Sequence, residues 1–247
     1  MRPGWVWAML SACILGSVAG RVAADPAWPF ADNPLIAIPG GAAISPAGDK
    51  VVLPSFQVTR FEITNAAYRR FVRESGHRPS HFDGNPEIAR DNAPVVGVSW
   101  DDAMEFCRHF GLGLPSETQW DWMARGAERR GYAWGDEAPG ADHANRGGEP
   151  CCQPDEADGF LGTALVGSFP KGDTPQGVSD LTGNVWEWVD GWYEDDLADN
   201  AGKERKFRVL RGGAWNSDDA HLKAGYRLGY RGDFRYAANG GFRCVAP

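Results

Sequence analysis

The chain of 247 residues has no excess of positive charge. Lys and Arg number 25 against 33 Asp and Glu, which gives a formal net charge of −8. A nucleic-acid partner is therefore not expected, because such binding depends on a basic surface. The GxSxG, HExxH, P-loop and dinucleotide-binding motifs are also missing. Their absence argues against the hydrolases, metalloproteases and nucleotide-binding enzymes that rely on them.

The sequence also lacks an apolar run long enough to span a bilayer comfortably. Residues 6–20 are apolar but end abruptly, after Arg2 and before the small residues of Val22–Ala24. This order predicts a cleavable signal peptide over residues 1–24, with a periplasmic or secreted mature protein that has no stable membrane insertion. The alternatives are a membrane anchor and a lipoprotein processed at Cys13.

Four cysteines remain after removal of the signal peptide, and an even number in an exported chain favours disulfides. Cys151 and Cys152 are adjacent in a polar loop. They can bond to each other, bind a soft metal or pair elsewhere. No CxxC or HxxxH partner set supports a zinc site.

The chain combines 11 Trp with 32 Gly, which is typical of many turns around aromatic packing and few long helices. Thr64, Ser99 and Ser116 are predicted helix caps, and Cys107 falls on a buried helix face. The predicted strands cover 35–38, 51–59, 205–211 and 241–246. Residues 25–50 read as a linker into the first strand, and 51–247 as one α+β domain.

Residues 131–205 show almost no periodicity, so something other than regular structure must order them. Asp180, Gly183, Val185 and Glu187 provide oxygen atoms at a spacing that suits calcium. Asn145 with Asp158–Phe160 is a second oxygen-rich set. From spacing alone, ordinary turns explain both sets equally well. Asp218, Asp219 and His221 offer a further metal-ligand set, which a solvated polar turn also explains.

Five segments occur in an order that is specific in combination. They are PVVGVSWDDAMEFCRHFG, LPSETQWDWMARGA, DLTGNVWEWVDGWY, RVLRGGAWN and NGGFRCV. Together they closely resemble the formylglycine-generating enzyme, or sulfatase-modifying factor, family over residues 50–247. The resemblance implies one α+β domain with much irregular structure, related to the C-type lectin-like fold.

The resemblance also implies two calcium sites and one disulfide, between Cys107 and Cys244. Closing this loop stabilises the fold by roughly 4–5 kcal/mol through loop-closure entropy. The calcium ions would order the irregular segment. The first implied site consists of Asn145, Arg146, Asp158 and Phe160, and the second of Asp180, Gly183, Val185 and Glu187.

The sequence departs from the family where a cysteine pair holds copper(I). The corresponding positions are Ser217 and Leu222, and Ala214 replaces a serine of the preceding motif. Neither residue is a useful copper(I) ligand, so no copper is expected. Iron or another redox metal is left open as an alternative, although no residue pattern supports it.

Two main functions follow from the resemblance. The first is an exported maturation or tailoring factor acting on a peptide or protein, with an oxidoreductase-type step if it is an enzyme. Its catalytic candidates are Asp218, Asp219 and His221. The alternative is a non-catalytic, calcium-stabilised, lectin-like binding module, and a retroelement-diversified ligand-display protein is a third reading.

The cleft expected from the resemblance contains Trp186, Trp215, Ser217 and Asn239. The aromatic residues Tyr226, Tyr230 and Tyr236 would suit a polypeptide ligand.

Overall fold

Three short helices form where the capping residues predict them. The computed structural model describes residue 1 and residues 28–193 and 206–246. The hydroxyls of Thr64, Ser99 and Ser116 each accept a hydrogen bond from a first-turn backbone N–H. Asp102 and Gln119 complete reciprocal capping boxes for the second and third helices. The helices are α1 (Asn65–Ser75), α2 (Trp100–His109) and α3 (Glu117–Arg125).

The strands of the described residues form three small sheets. One contains the antiparallel pair β2–β3, one has the order β1-β4-β9, and the largest has the order β7-β6-β5-β8. In the largest sheet β8 runs parallel to β5, whereas the other pairs are antiparallel. The strands are β1 (Leu35–Ile38), β2 (Gly41–Ile44), β3 (Lys50–Leu53), β4 (Phe56–Thr59), β5 (Trp186–Trp192), β6 (Phe207–Arg211), β7 (Leu228–Arg231), β8 (Gly240–Phe242) and β9 (Val245–Ala246).

The strand predicted over residues 51–59 is two strands in the structure. Pro54 and Ser55 separate β3 from β4, and proline has no N–H to continue a hydrogen-bonded ladder. As a result β3 pairs with β2, while β4 lies between β1 and β9. The break therefore divides one predicted strand between two sheets.

The strand predicted over residues 241–246 is also interrupted, at Arg243 and Cys244. Cys244 forms a disulfide with Cys107 of α2, with 5.6 Å between the two Cα atoms. Both cysteines are fully buried. The carbonyl of Cys244 accepts a hydrogen bond from the Thr59 N–H at 2.9 Å. The last residues are thus attached to both a helix and a sheet.

The first strand predicted at residues 35–38 is confirmed as β1. The described residues before it, in the segment predicted as a linker, pack against the core. Phe30 is 8% exposed, and Trp28 packs beside it against Phe106 and Phe110 of the α2 segment. Aromatic burial explains why a Pro- and Ala-rich segment is ordered.

The predicted signal peptide, residues 1–24, lies outside the described residues except for Met1. In the part of the chain that the structure describes, none of the helices combines the length and the apolar character of a membrane span.

The described part of the segment predicted to be irregular contains little regular structure. Between α3 and β5 it has one 3-10 helix, Pro170–Gly172. The turn before β5 places Asp180, Gly183 and Asn184 at positive φ angles of 59°, 83° and 59°. A Cβ on Gly183 would lie 2.3 Å from the carbonyl oxygen of Asn145, so this close approach requires glycine.

A buried ion pair joins the C-terminal segment to the rest of the core. Nη2 of Arg243 donates to Glu187 at 2.7 Å, and Nε donates to both oxygens of that carboxylate at 2.9 Å. The remaining guanidinium N–H groups donate to the carbonyls of Thr59, Arg60 and Ser179. Both side chains are at most 1% exposed. Every charged hydrogen-bonding group of Arg243 is therefore satisfied.

The disulfide should stabilise the fold strongly. We expect replacement of both Cys107 and Cys244 by Ala to lower the free energy of unfolding by about 4–5 kcal/mol, because a long loop is no longer closed. Urea denaturation measures this change. The matched control replaces both Cys151 and Cys152, which close no long loop. Equal losses in the two double variants would contradict the prediction.

Removal of the buried guanidinium should be equally severe. We expect Arg243→Met to lower the free energy of unfolding by about 3–5 kcal/mol, since Glu187 loses its buried partner. Arg243→Lys keeps the charge but loses donors, and should lose less stability. The control is Arg231→Met, which alters an exposed pair with Asp233. Urea midpoints that fall equally for Arg243→Met and Arg231→Met would refute this role.

Candidate functional site

Ser217 and Leu222, at the two positions where the resemblance implies copper-binding cysteines, are buried and carry no thiol. Ser217 is 1% exposed, and its hydroxyl accepts the Ala214 N–H at 3.0 Å. Leu222 is fully buried. The turn between β6 and this segment is tight, because a Cβ on Gly213, whose φ is +79°, would lie 2.7 Å from Leu222 Cδ2. Ser217 thus offers a hydroxyl that is already hydrogen-bonded, and Leu222 offers no ligand atom. This pair does not fit copper(I), which prefers soft ligands.

Asp218 and His221 form a close polar pair on the same turn. Nδ1 of His221 lies 2.5 Å from Oδ1 of Asp218, and the His221 N–H donates to the same oxygen at 3.1 Å. These interactions, led by the ring hydrogen bond, hold the pKa of Asp218 below its usual value. The His221 ring lies 4.6 Å from that of Tyr226. The pair provides a carboxylate that can orient an imidazole.

Asp219 does not join this pair, although the sequence suggests all three residues together. Nη1 of Arg146 lies 3.1 Å from Oδ1 of Asp219. Instead, Cys151 lies beside the pair, and its N–H donates to Oδ2 of Asp218 at 3.1 Å. One ligand atom each from Cys151, Asp218 and His221 lies within 4.8 Å of the others. The sequence analysis named Cys151 as a possible soft-metal ligand but did not connect it with Asp218, because 67 positions separate the two and no spacing motif links them.

The first set of implied calcium ligands contains an oxygen atom that fits a cation. Oδ1 of Asn145 is buried and has no hydrogen-bond partner among the described residues. The carboxylate of Asp158 accepts the N–H groups of Arg146 and Phe160 at 2.6 and 3.0 Å. Burial raises the pKa of Asp158. Because an unpaired buried amide oxygen is costly, the set fits a hard cation.

In the second set of implied calcium ligands, the carboxylate of Glu187 already accepts several hydrogen bonds. Besides the three contacts from Arg243, Oε2 of Glu187 accepts the Trp120 Nε1–H at 2.7 Å. Three N–H groups thus donate to Glu187, and the charge of Arg243 already balances that of the carboxylate, so the second set fits calcium less well than the first. The carboxylate of Asp180 accepts the Gly167 N–H at 2.6 Å, and burial raises its pKa to about 6.

Glu62 is a buried carboxylate that the sequence analysis did not single out. Its oxygens accept the Asn184 side-chain amide at 2.7 Å and the Val185 N–H at 3.2 Å. Burial, followed by the charges of Asp180 and Glu187, raises the pKa of Glu62 well above its usual value. Glu62 therefore helps to hold the turn before β5, and no local motif marked it.

The expected cleft residues are only partly brought to one surface. Trp215 is half-buried, donates from Nε1 to the Ala238 carbonyl at 3.1 Å, and lines a cavity of about 460 Å³. Trp186 and Ser217 are only 5% and 1% exposed. Asn239 donates to Asn216 at 3.1 Å. The cavity is lined by Glu87, Ile88, Arg90, Gly159, Phe160, Leu161, Gly162, Thr163, Trp215 and Ala238.

Curated relatives share most of the length of this chain. The formylglycine-generating enzyme of Streptomyces coelicolor is 39% identical, over 79% of this chain and 79% of that protein. The mouse enzyme of the same name is 28% identical, over 80% of this chain and 67% of that protein. Hercynine oxygenase of Mycolicibacterium thermoresistibile is 28% identical, over 67% of this chain and 45% of that protein.

Solved structures share the fold at lower identity. PvdO from Pseudomonas aeruginosa superposes with a TM-score of 0.68 at 20% identity, over 86% of this chain and 93% of that one. CarF superposes with a TM-score of 0.65 at 18% identity, over 87% and 98% of the two chains. The sequence pattern described as "Sulfatase-modifying factor enzyme 1-like domain" matches residues 26–247. This chain therefore belongs to the formylglycine-generating enzyme, or sulfatase-modifying factor, family.

Proposed function

We propose that the protein is an exported maturation or tailoring factor that binds a polypeptide beside Trp215 and does not generate formylglycine with copper. The observation that carries the second part is the pair Ser217 and Leu222. Copper(I) requires soft ligands, and thiolates are the ones the family uses. A leucine at one position removes a ligand atom altogether, and the hydroxyl at the other already accepts the Ala214 N–H.

The cavity beside Trp215 supports a polypeptide ligand. Its volume of about 460 Å³ lies in the usual range of ligand sites. Phe160, Leu161 and Trp215 form apolar walls, and Leu161 is 59% exposed. Glu87 adds a carboxylate at the same cavity. Apolar walls with a polar group favour an extended segment that carries at least one apolar side chain.

Two features support export. The charged, apolar and small-residue order of residues 1–24 matches a signal peptide. The buried Cys107–Cys244 disulfide suits an oxidising compartment. Together these two features support the proposal of a periplasmic or secreted location, in which the polypeptide partner would be encountered after export.

We propose calcium at the first set only. Oδ1 of Asn145, the carboxylate of Asp158 and the carbonyls of Arg146 and Phe160 would hold it. A bound calcium ion would supply positive charge to a loop that has little regular structure. Its role in this proposal is structural: it satisfies the Asn145 oxygen and fixes the wall of the cavity that contains Phe160.

Peptide binding tests the proposed function. We expect peptides selected from a randomised displayed library to bind, and Trp215→Ala to weaken their Kd by at least about tenfold, because an aromatic anchor is lost. Isothermal titration measures this. The matched control is Tyr230→Ala, since Tyr230 is 41% exposed and does not line the cavity.

The outcomes separate the alternatives. Weaker binding for Tyr230→Ala but not for Trp215→Ala would place the ligand on another face and refute the proposed cleft.

Mass spectrometry of a cysteine peptide incubated with the protein, copper(I) and oxygen should show no formylglycine. A formylglycine product would overturn the copper argument. If exported proteins bind to this protein but none of them is chemically modified, the result would favour the non-catalytic binding module over a tailoring enzyme.

Calcium removal tests the ion site. We expect added calcium to raise the Tm of the wild type, by an amount equivalent to about 2.7 kcal/mol at a hundred times its Kd. Asp158→Asn should abolish this increase, because it removes the charged ligand. The control is Glu156→Gln in the same loop, where the side chain is exposed. A calcium-dependent increase retained by Asp158→Asn and lost by Glu156→Gln would contradict the assignment.

A further inference from the structure

Cys151 and Cys152 lie in a loop that packs against the turn carrying Asp218 and His221. Gly148 and Gln153 form an isolated antiparallel bridge that closes this loop. The N–H of Gly147 donates to the Ser217 carbonyl at 2.9 Å. A Cβ on Gly147 would lie 2.3 Å from the Gln153 carbonyl oxygen and 2.6 Å from the Asn216 carbonyl carbon. The backbone contacts therefore fix the loop against the turn.

In the structure, the two cysteines form a disulfide with each other. Cys151 is half-buried and Cys152 is exposed. The other disulfide of the described residues, Cys107–Cys244, is fully buried. A soluble reductant therefore reaches Cys151–Cys152 in preference to Cys107–Cys244. The disulfide sulfur of Cys151 carries no thiolate charge, and only the thiolate is a strong metal ligand.

The three potential ligand atoms meet at this point. A sulfur of Cys151, a carboxylate oxygen of Asp218 and a ring nitrogen of His221 lie within 4.8 Å of one another. Adjacent ligand atoms in a tetrahedral zinc site lie about 3.3–3.7 Å apart, given the usual bond lengths. Small side-chain rotations therefore bring the three atoms to ligand distance. The His221 side chain is 28% exposed, which leaves the site open to solvent.

We propose that reduction of the Cys151–Cys152 disulfide creates a site for a thiophilic divalent cation such as zinc. A dithiol reductant supplies two electrons and two protons, is itself oxidised to a disulfide, and leaves two thiols. The Cys151 thiol then loses its proton to solvent on binding the metal. Cys151 sulfur, Asp218 oxygen and His221 nitrogen are the three protein ligands. Three protein ligands with an open fourth position are typical of catalytic zinc sites.

The surrounding contacts favour this ligand set over one that includes Asp219. The carboxylate of Asp219 faces the Arg146 guanidinium at 3.1 Å. Asp218 is already oriented, because its Oδ2 accepts the Cys151 N–H and its Oδ1 contacts His221. The hydrogen bond from the Cys151 backbone thus holds a carboxylate ligand next to the cysteine that becomes the thiolate ligand. None of the three ligand residues lines the cavity beside Trp215, so the metal site does not depend on the proposed peptide cleft.

Cobalt(II) is the probe, because a thiolate–cobalt charge-transfer absorption band reports sulfur ligation directly. The protein is reduced with a phosphine under anaerobic conditions, desalted and titrated with cobalt(II), and zinc is then added as a competitor. We expect the oxidised wild type to show no band. The reduced wild type should show a band that saturates at one equivalent and disappears on addition of zinc.

Two single-cysteine variants make the assignment specific. Cys152→Ser leaves a free Cys151 thiol, and should bind cobalt(II) without any reductant. Cys151→Ser keeps Cys152 and the buried disulfide, and should show no band with or without reductant. His221→Ala in the reduced state should weaken the cobalt(II) Kd by at least about tenfold. Each variant is checked for an unchanged Tm under oxidising conditions.

The opposite results are equally clear. Absence of a charge-transfer band in both the reduced wild type and Cys152→Ser would overturn the proposal. Identical bands in Cys151→Ser and Cys152→Ser would show that any exposed thiol suffices, and would overturn the ligand assignment. Mass spectrometry of the reduced, alkylated protein must show Cys107 still linked to Cys244. If these buried cysteines are alkylated, the reductant has also opened the structural disulfide. The test then rests on Cys152→Ser, because this variant has a free Cys151 thiol without any reductant.

Discussion

The ion pair between Arg243 and Glu187 is the interaction on which the assembly of the described fold depends. Arg243 lies between β8 and β9, and Glu187 lies on β5. Trp120 of α3 donates to the same carboxylate, and carbonyls at the end of β4 and in the turn before β5 accept from the guanidinium. A buried pair repays its desolvation only when such additional bonds are complete. This pair therefore requires that elements from both halves of the chain meet at one point.

The irregular segment before β5 is held by side-chain hydrogen bonds rather than by a β-sheet ladder. The side chain of Asn184 accepts from Asn145 and from the Ala164 N–H, and donates to Glu62. One residue at a positive φ thus connects four separate pieces of chain. Side-chain amides can replace regular pairing because each satisfies several backbone or polar groups at once. This explains how a long stretch with one 3-10 helix packs beside the sheets.

Local features were predictable from the sequence and distant ones were not. The helix caps at Thr64, Ser99 and Ser116 depend on residues three positions away, and the structure agrees with them. Pro54 is a local signal that a strand ends, because proline cannot donate to a ladder. The pairing of β3 and β4 with different sheets, and the break at Arg243, depend instead on contacts across the fold. The Cys107–Cys244 bond was implied by the family resemblance alone. The contact of Cys151 with Asp218 joins residues 67 positions apart, so spacing could not reveal it.

The side chains between Ser217 and Leu222 divide into an inward-facing pair and an outward-facing pair. Ser217 and Leu222 point into the core, where Leu222 is packed against the Gly213 turn. Asp218 and His221, their immediate neighbours, face the loop that carries Cys151. An aliphatic side chain in the core stabilises the turn by burial, whereas a buried thiolate pair requires a metal to offset its charge. Ser217 and Leu222 therefore support the turn from the inside, while Asp218 and His221 lie on its outer side beside the Cys151 loop.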